Sequence, residues 1–271
     1  MSSYTAAVIG CGSIAQHLHL PGYAKRKEIT RIIGVDPEPA RLAEIQANFP
    51  IAAVYADYRE MFAHEHPDFV SVCTPNVFHA EQAIAALQSG AALLLEKPMT
   101  LTLEEAHAVA MTAQQVGKPV MIGFSHRFYR GNQRVKALLQ EGAIGEPFMM
   151  RVRFAHSGPF PGWAKSDWFY DPKRAGGGAL LDMGIHAIDL CQWLIGPITS
   201  VAAQMGTLRR SRWMTTPCWR WSSAGGRWAI SKSVGPVDPA CAVSKSTATT
   251  APSSTTMSKA CASAPAKSPP T

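Results

Sequence analysis

Paired cysteines, long apolar runs and a positively charged folded face are all missing from this 271-residue chain, and each absence removes a class of function. No uninterrupted apolar stretch reaches about 18 residues, so no membrane span and no membrane partner are expected. The chain passes from Met1-Ser-Ser-Tyr4 straight into an apolar run, which leaves no room for a secretion signal and points to the cytoplasm. Its six cysteines are scattered without CxxC spacing, which argues against a zinc site or a redox pair; no metal is expected. Cys11, Cys73 and Cys191 stand in apolar contexts and read as small buried thiols. The net charge of +7 suggests nucleic acid until it is mapped: +6 of it lies in residues 211–271, where seven basic residues meet the single acid Asp238. The first 210 residues are close to neutral, so nucleic acid is not an expected partner, and a basic tail acting as a nucleic-acid arm is a minor alternative.

What is present begins with Gly10-Cys-Gly12-Ser13-Ile14-Ala15, which follows the apolar run Ala6–Ile9 and opens a helical stretch from Ile14 to Leu20. A strand turning sharply into a helix leaves backbone N–H groups facing open space, and its glycines let a pyrophosphate approach them. Ala15 is small enough for close helix–strand packing. Asp36 ends a second apolar run, Arg31–Val35, and lies 21 positions beyond Ala15. A carboxylate there reaches the adenosine ribose 2′-OH and repels a 2′-phosphate, which favours NAD; the nearby Arg41 leaves NADP open.

Residues 1–123 alternate short apolar runs with helical patterns, as a parallel sheet with crossover helices requires. Strands are expected near 52–55, 69–73, 91–95 and 120–123. Helices are expected over 39–49, 59–63, 79–89 and from the capping box Thr102–Glu105 to Val116. A second unit, 124–210, offers a helix over 131–141, a strand over 147–155, an aromatic loop over 156–177, a helix over 178–195 and a strand from Ile198.

Three groupings carry chemistry. Glu96-Lys97-Pro98 closes a sheet strand at its C-terminal end, where open parallel sheets bind ligands; Lys97 reads either as a cofactor-binding ammonium aimed at the nicotinamide and a substrate oxygen or as a helix-capping or surface lysine. Asp182 and His186 share a helix face at i and i+4, behind Gly176-Gly-Gly178, which suits a general base beside a carboxylate as well as a core histidine. Arg127, in Phe124-Ser-His126-Arg127-Phe128, either holds substrate or bridges two domains.

Taken together, GCGSIA, Asp36, Thr74-Pro75-Asn76 with His79, Glu96-Lys97-Pro98 and GGGALLDMGIHAID resemble the Gfo/Idh/MocA oxidoreductase family over residues 4 to about 208. The resemblance implies an α/β protein, with an N-terminal Rossmann domain over 1–123 and a C-terminal α/β open-sheet domain that is cut short here. It implies NAD(P)-dependent oxidation or reduction of a secondary alcohol on a sugar, inositol or similar polyol. Lys97 takes the place of the catalytic lysine, with Asp182 and His186 as partners and His186 as proton acceptor. Thr74, Asn76, His79 and Glu96 match cofactor-lining positions of the family; beside that resemblance, Pro75 is expected at the cofactor, Arg127, Trp168, Asp182 and His186 are candidates for substrate contact, and the loop holding Trp163, Trp168 and Arg174 is expected to shape substrate choice. A homo-oligomer belongs to the intact fold. A non-catalytic NAD(H)-binding protein and a redox-neutral glycosidase of the same family are the alternatives.

From about residue 211 this grammar stops. Four of the seven tryptophans fall within Trp213–Trp228, ahead of a Ser/Thr/Ala/Pro tract expected to be disordered, and no strand pattern is expected there. Reading the codons of Trp213–Thr215 one nucleotide earlier turns Trp213 into Leu, Val or Met and forces Asp-Asp after it, and the Cys218–Trp219 junction must then encode Leu. The same shift permits strand, glycine turn and strand over 213–235. Residues 211–271 are therefore expected to be out of frame, with the slip between about Met205 and Ser211, and the activity of the chain as it stands is in question.

Overall fold

Strand β1 (Tyr4–Ile9) is the centre of the first lobe of a computed structural model that describes residues 3–153, 166–178, 180–207, 215–223 and 226–231. Ala7 and Ile9 enter one core while Val8 enters the other, as the two-residue repeat of a strand dictates. Both sheet faces are covered, which is why the run is apolar throughout.

A wide π-type turn, Ala15–His19, leads into α1 (Leu20–Ala24), so the helical stretch runs further than expected. Then follow β2 (Ile29–Val35), α2 (Pro39–Asn48), β3 (Ile51–Tyr55), α3 (Tyr58–His64) and β4 (Phe69–Val72). The lobe ends with α4 (His79–Gln88), β5 (Ala92–Leu95), α5 (Leu103–Val116) and β6 (Val120–Ile122). Each starts where local chemistry allows: Pro39 needs no N–H partner at a first helical position. The Asp57 carboxylate accepts from Arg59 N, and Thr102 and Glu105 form the expected capping box.

All pairings in the six-stranded sheet are parallel, in the order β3-β2-β1-β4-β5-β6. The order reverses between β1 and β4, which opens a crevice at the carboxyl ends of the strands. Met61, Ala83, Leu87 and Val109 from α3 to α5 close one face, and Ala15, Leu20 and Ile45 close the other.

The second lobe comprises α6 (Arg130–Gln140), β7 (Met149–Arg153), α7 (Pro172–Ala175), α8 (Ile185–Leu194), β8 (Ser200–Thr207), β9 (Thr215–Ser223) and β10 (Gly226–Ser231). Its sheet runs β7-β10-β9-β8, with β10 parallel to β7 and the other pairs antiparallel. Two expectations are corrected here. Strand structure continues past residue 211, because ladder pairing from Ser200↔Ser222 to Thr207↔Thr215 uses backbone groups and tolerates a Thr- and Trp-rich strand. The helix expected over 178–195 opens instead with a π-type turn, Leu180–Gly184, before α8 begins. On α8, Ala187 and Cys191 pack with Met150, Val152 and Ile198. The chain divides into units 1–236 and 237–271, and the tail expected to be disordered beyond 231, like Trp163, lies outside the described residues. Among the described residues no helix is long and apolar enough to cross a membrane.

Gly10 has φ +88°, and a Cβ there would sit 2.8 Å from the Cys73 carbonyl carbon and the Thr74 nitrogen. Both obstacles are backbone and neither can swing aside. Gly10→Ala should cost about 2 kcal/mol, read as a melting temperature lower by about 4 °C or more in a thermal scan. An unchanged melting temperature would mean that the loop adjusts freely.

Candidate active site

The loop after β1 meets the needs of a dinucleotide. Gly10 is forced by backbone geometry, whereas a Cβ on Gly12 would find nothing within 4 Å, so open space lies above that turn. Ser13 and Ile14 are exposed beside it, and Ala15 is fully buried against the sheet. Asp36, 2% exposed, anchors the loop from behind: Oδ2 accepts from Cys11 N at 2.9 Å and Oδ1 from Glu38 N at 2.9 Å. An ionised carboxylate has about four acceptor sites, so capacity remains for a ribose hydroxyl. Arg41 Nη1 lies 3.4 and 3.5 Å from the two oxygens. Burial, with Asp36 beside it, pushes the Cys11 thiol up to about 12, which keeps it an inert packing group.

Two further turns close the crevice. Thr74 donates from Oγ1 to Gln82 Oε1 at 2.6 Å, and Pro75 directs the chain into a short 3-10 turn at Asn76–Phe78. Asn76 does not face open crevice: its Nδ2 donates to Ala175 O at 2.9 Å and so ties the first lobe to the second. His79 is fully buried, with Nδ1 2.7 Å from Pro98 O and Nε2 2.9 Å from Thr74 O. It therefore couples the turn after β4 to the turn after β5, and cofactor contact is not its visible role. Gly176, at φ +74°, leaves room for Leu101, whose Cδ2 would lie 2.2 Å from an added Cβ.

Glu96 is also turned inward. His19 Nε2 donates to Glu96 Oε1 at 3.0 Å, Lys97 N donates to Oε2 at 3.2 Å, and Ser71 Oγ links His19 Nδ1 (2.9 Å) to the Tyr23 hydroxyl (2.6 Å). Burial works to raise the Glu96 carboxyl, yet the bonds from His19 and the Lys97 amide outweigh it and hold it below its ordinary value. His19 had no visible role in the sequence. The available signal was its position four residues after the buried Ala15, which puts both on one inward helical face. Behind this pair lies an apolar cavity of about 440 Å³ walled by Leu18, Tyr23, Phe69, Met121, Phe124 and Phe128. Lys97, Asp182 and His186 are not among its lining residues.

Lys97 and Asp182 bond directly, and His186 lies within reach of both charges. Lys97 Nζ donates to Asp182 Oδ1 at 2.8 Å and to the Asp182 carbonyl at 3.0 Å. His186 is 7% exposed, and its Nδ1 is buried without a hydrogen-bond partner. Burial, then the Lys97 ammonium and His126, push the His186 imidazole down to about 4, while Asp182 and Glu96 act the other way. At neutral pH His186 is uncharged and able to accept a proton.

Arg127 is a correction: Nε donates to Asp189 Oδ2 at 2.8 Å and Nη2 to Oδ1, so its planar fork is committed to a carboxylate of α8. It bridges the lobes, and the missed partner, Asp189, lies 62 residues away. Trp168 is half-buried and stacks on Phe169 with ring centroids 3.9 Å apart.

Two family models match in tandem: one described as "Oxidoreductase family, NAD-binding Rossmann fold" over residues 4–124, the other as the GFO/IDH/MocA C-terminal domain over 132–263. The chain belongs to the Gfo/Idh/MocA oxidoreductase family. D-glucoside 3-dehydrogenase of Escherichia coli (strain K12) is 31% identical over 72% of this chain and 55% of its own length. D-apiose dehydrogenase of Paraburkholderia graminis is 34% identical over 74% of this chain and 52% of its own. The chain thus spans about half the length of these curated relatives. A WlbA dehydrogenase from Bordetella pertussis, solved with NADH and UDP-GlcNAcA, is 25% identical with a TM-score of 0.77, covering 85% of this chain and 69% of that one. In this Gfo/Idh/MocA chain the first lobe is the family's NAD-binding fold, and the Gly10–Ala15 turn with Asp36 fits that cofactor.

The lowered His186 pKa links the site to stability. Between about 6.5, the unfolded value, and about 4, the unfolded chain holds a proton that the native site refuses, so native stability falls as pH drops through that window. The pH-dependent contribution of His186 is on the order of 3 kcal/mol. His186→Gln should therefore flatten the decline between pH 7 and pH 4 in denaturant titrations. Parallel curves for both proteins would show that His186 titrates normally in the fold.

Proposed function

We propose that this chain is built for NAD-dependent oxidation and reduction of a secondary alcohol on a sugar, inositol or similar polyol, with Lys97, Asp182 and His186 as its catalytic group. The observation that carries this reading is the meeting of Lys97, from the carboxyl edge of the Rossmann sheet, with Asp182 across the lobe boundary at 2.8 Å, beside a neutral imidazole. The names of the glucoside and apiose dehydrogenase relatives support the substrate class. Gly10, Gly12, Ser13, Ile14 and Ala15 would hold the pyrophosphate, Asp36 the ribose, and Thr74 and Pro75 the rim of the crevice. NAD, when bound, supplies the acceptor for the hydride that leaves the carbinol carbon.

The residues of the chain do the rest. Lys97 donates to the substrate oxygen and stabilises the charge that develops on it as the C–H bond breaks. His186 takes the hydroxyl proton, so the alcohol loses one proton and one hydride and becomes a carbonyl. Asp182 holds the ammonium in line and accepts from a neighbouring hydroxyl. Proton transfer of this kind contributes about 10²–10⁴-fold, and positioning in the crevice adds to it. Trp168 belongs to the same proposal as a wall for the sugar. A homo-oligomer is proposed too, since Phe148, just before β7, and Met149 and Val201, on the second sheet, leave apolar side chains exposed.

A panel of glycosides, free sugars and inositols with NAD⁺ tests this by NADH appearance. His186→Gln and Lys97→Met should each lower kcat by about 10²–10⁴-fold while NADH affinity by fluorescence stays within about threefold. NADH binding with no turnover on any alcohol would leave a sensor protein, and a cleaved glycoside without net NADH would make it a hydrolase. We infer as well that the frame is shifted from about residue 211. Resequencing codons 200–215 should reveal a one-nucleotide slip, and an unbroken frame there would make the tail genuine.

A further inference from the structure

His186 is boxed by one short segment. Ser125–Phe128, a 3-10 turn after β6, sets the Phe124 ring edge-on to it at 6.3 Å and 83°, and lays His126 flat on it at 4.3 Å and 11°. The backbone of this segment is pinned: Asn132 Nδ2 donates to His126 O at 2.7 Å, and the next residue, Arg127, grips Asp189. Asp189 and His186 lie three apart on α8, so two consecutive side chains of the turn dock on one face of that helix. Tyr129 stacks on His126 from the exposed side at 4.7 Å and 29°. The result is a column of three rings that runs from solvent to the buried imidazole.

We propose that His126 is a positioning residue of this site: its imidazole fixes the plane of the His186 ring and competes with it for protons. The proposal rests on the dehydrogenase reading only where it speaks of turnover; the stacked geometry stands without it. A ring held between Phe124 and His126 has one orientation available, so its nitrogens are already aimed when substrate arrives. Two imidazoles stacked this closely do not both hold a charge at little cost, and their titrations are coupled. The other groups facing the pair are Lys97 and Glu96 from the turn after β5, and Asp182 and Asp189 from the second lobe. Lys97 disfavours a proton on either ring, and the carboxylates favour one. Burial lowers the His126 imidazole as well, so both rings are neutral acceptors in the working range.

The test follows the histidine ring protons by NMR in the full-length chain, with His186→Gln identifying the His186 resonance. His126→Phe keeps a flat ring and removes the second proton site, and His126→Gln keeps polarity without a ring. In both, the His186 midpoint should move up by roughly half a pH unit, because one competing positive charge is gone, yet remain below the usual histidine value. A midpoint that stays put or falls in a folded variant overturns the proposal, and His126→Gln decides it should His126→Phe fail to fold. Where turnover is measurable, the acidic limb of kcat/KM should move up by the same amount in His126→Phe, while the plateau changes less than about threefold. Absence of turnover in the unmodified chain would remove the dehydrogenase reading and leave the NMR result to stand alone. Turnover with an unmoved His186 midpoint would remove only the role of His126.

Discussion

Lys97 and Asp182 face each other across the boundary of two lobes whose cores are otherwise separate. Their side chains are 19% and 27% exposed, so water screens the pair and its direct contribution to stability is small. Its importance is geometric. A flexible lysine stem has many rotamers, and a carboxylate plus a backbone carbonyl from the far lobe select one of them. Other contacts hold the lobes at the required distance: the Arg127 fork on Asp189, Asn76 on the Ala175 carbonyl, and Leu101 in the space left by Gly176. The Asn76–Ala175 bond is buried and the Arg127 fork is held by two bonds, so these contacts join the lobes independently of the ion pair.

The same ammonium governs acid–base behaviour. Lys97 lowers the affinity of both His126 and His186 for a proton, and burial acts in the same direction. On the proposed mechanism, a substrate hydroxyl bonded to the Lys97 ammonium would relax that pressure as a proton is accepted, which would couple proton affinity to substrate binding through one side chain. His19 supports this indirectly: it fixes Glu96, whose second oxygen receives the Lys97 amide, so the backbone from which the lysine springs is held from below.

Much of this was legible in the residues. The glycine turn, Asp36, the strand end at Leu95 and the capping box at Thr102 follow from spacing and local chemistry and appear where the pattern puts them, while β4 ends at Val72, one residue before the expected Cys73. What the residues did not disclose are the long-range pairings: His19 with Glu96 at a separation of 77, Arg127 with Asp189 at 62, and Asn76 with Ala175 at 99. Each partner is ordinary in its own segment, and only the closed fold brings the two together. The π-type turns at Ala15 and Leu180 were hidden for a related reason, since apolar periodicity scarcely distinguishes them from α-helix over five residues. Strands β9 and β10 were hidden because backbone ladders can form where side-chain alternation is weak.

Asp36 shows how one residue can serve structure and selectivity together. Its carboxylate binds the amides of Cys11 and Glu38, so the glycine turn keeps its shape only while that charge is in place. Replacing it to admit a 2′-phosphate would remove the brace as well as the repulsion. Arg41, at 3.4 Å, is too distant for a strong bond and too exposed to cancel the charge. A carboxylate that braces the loop through two amides cannot be exchanged for a cation without rebuilding the loop.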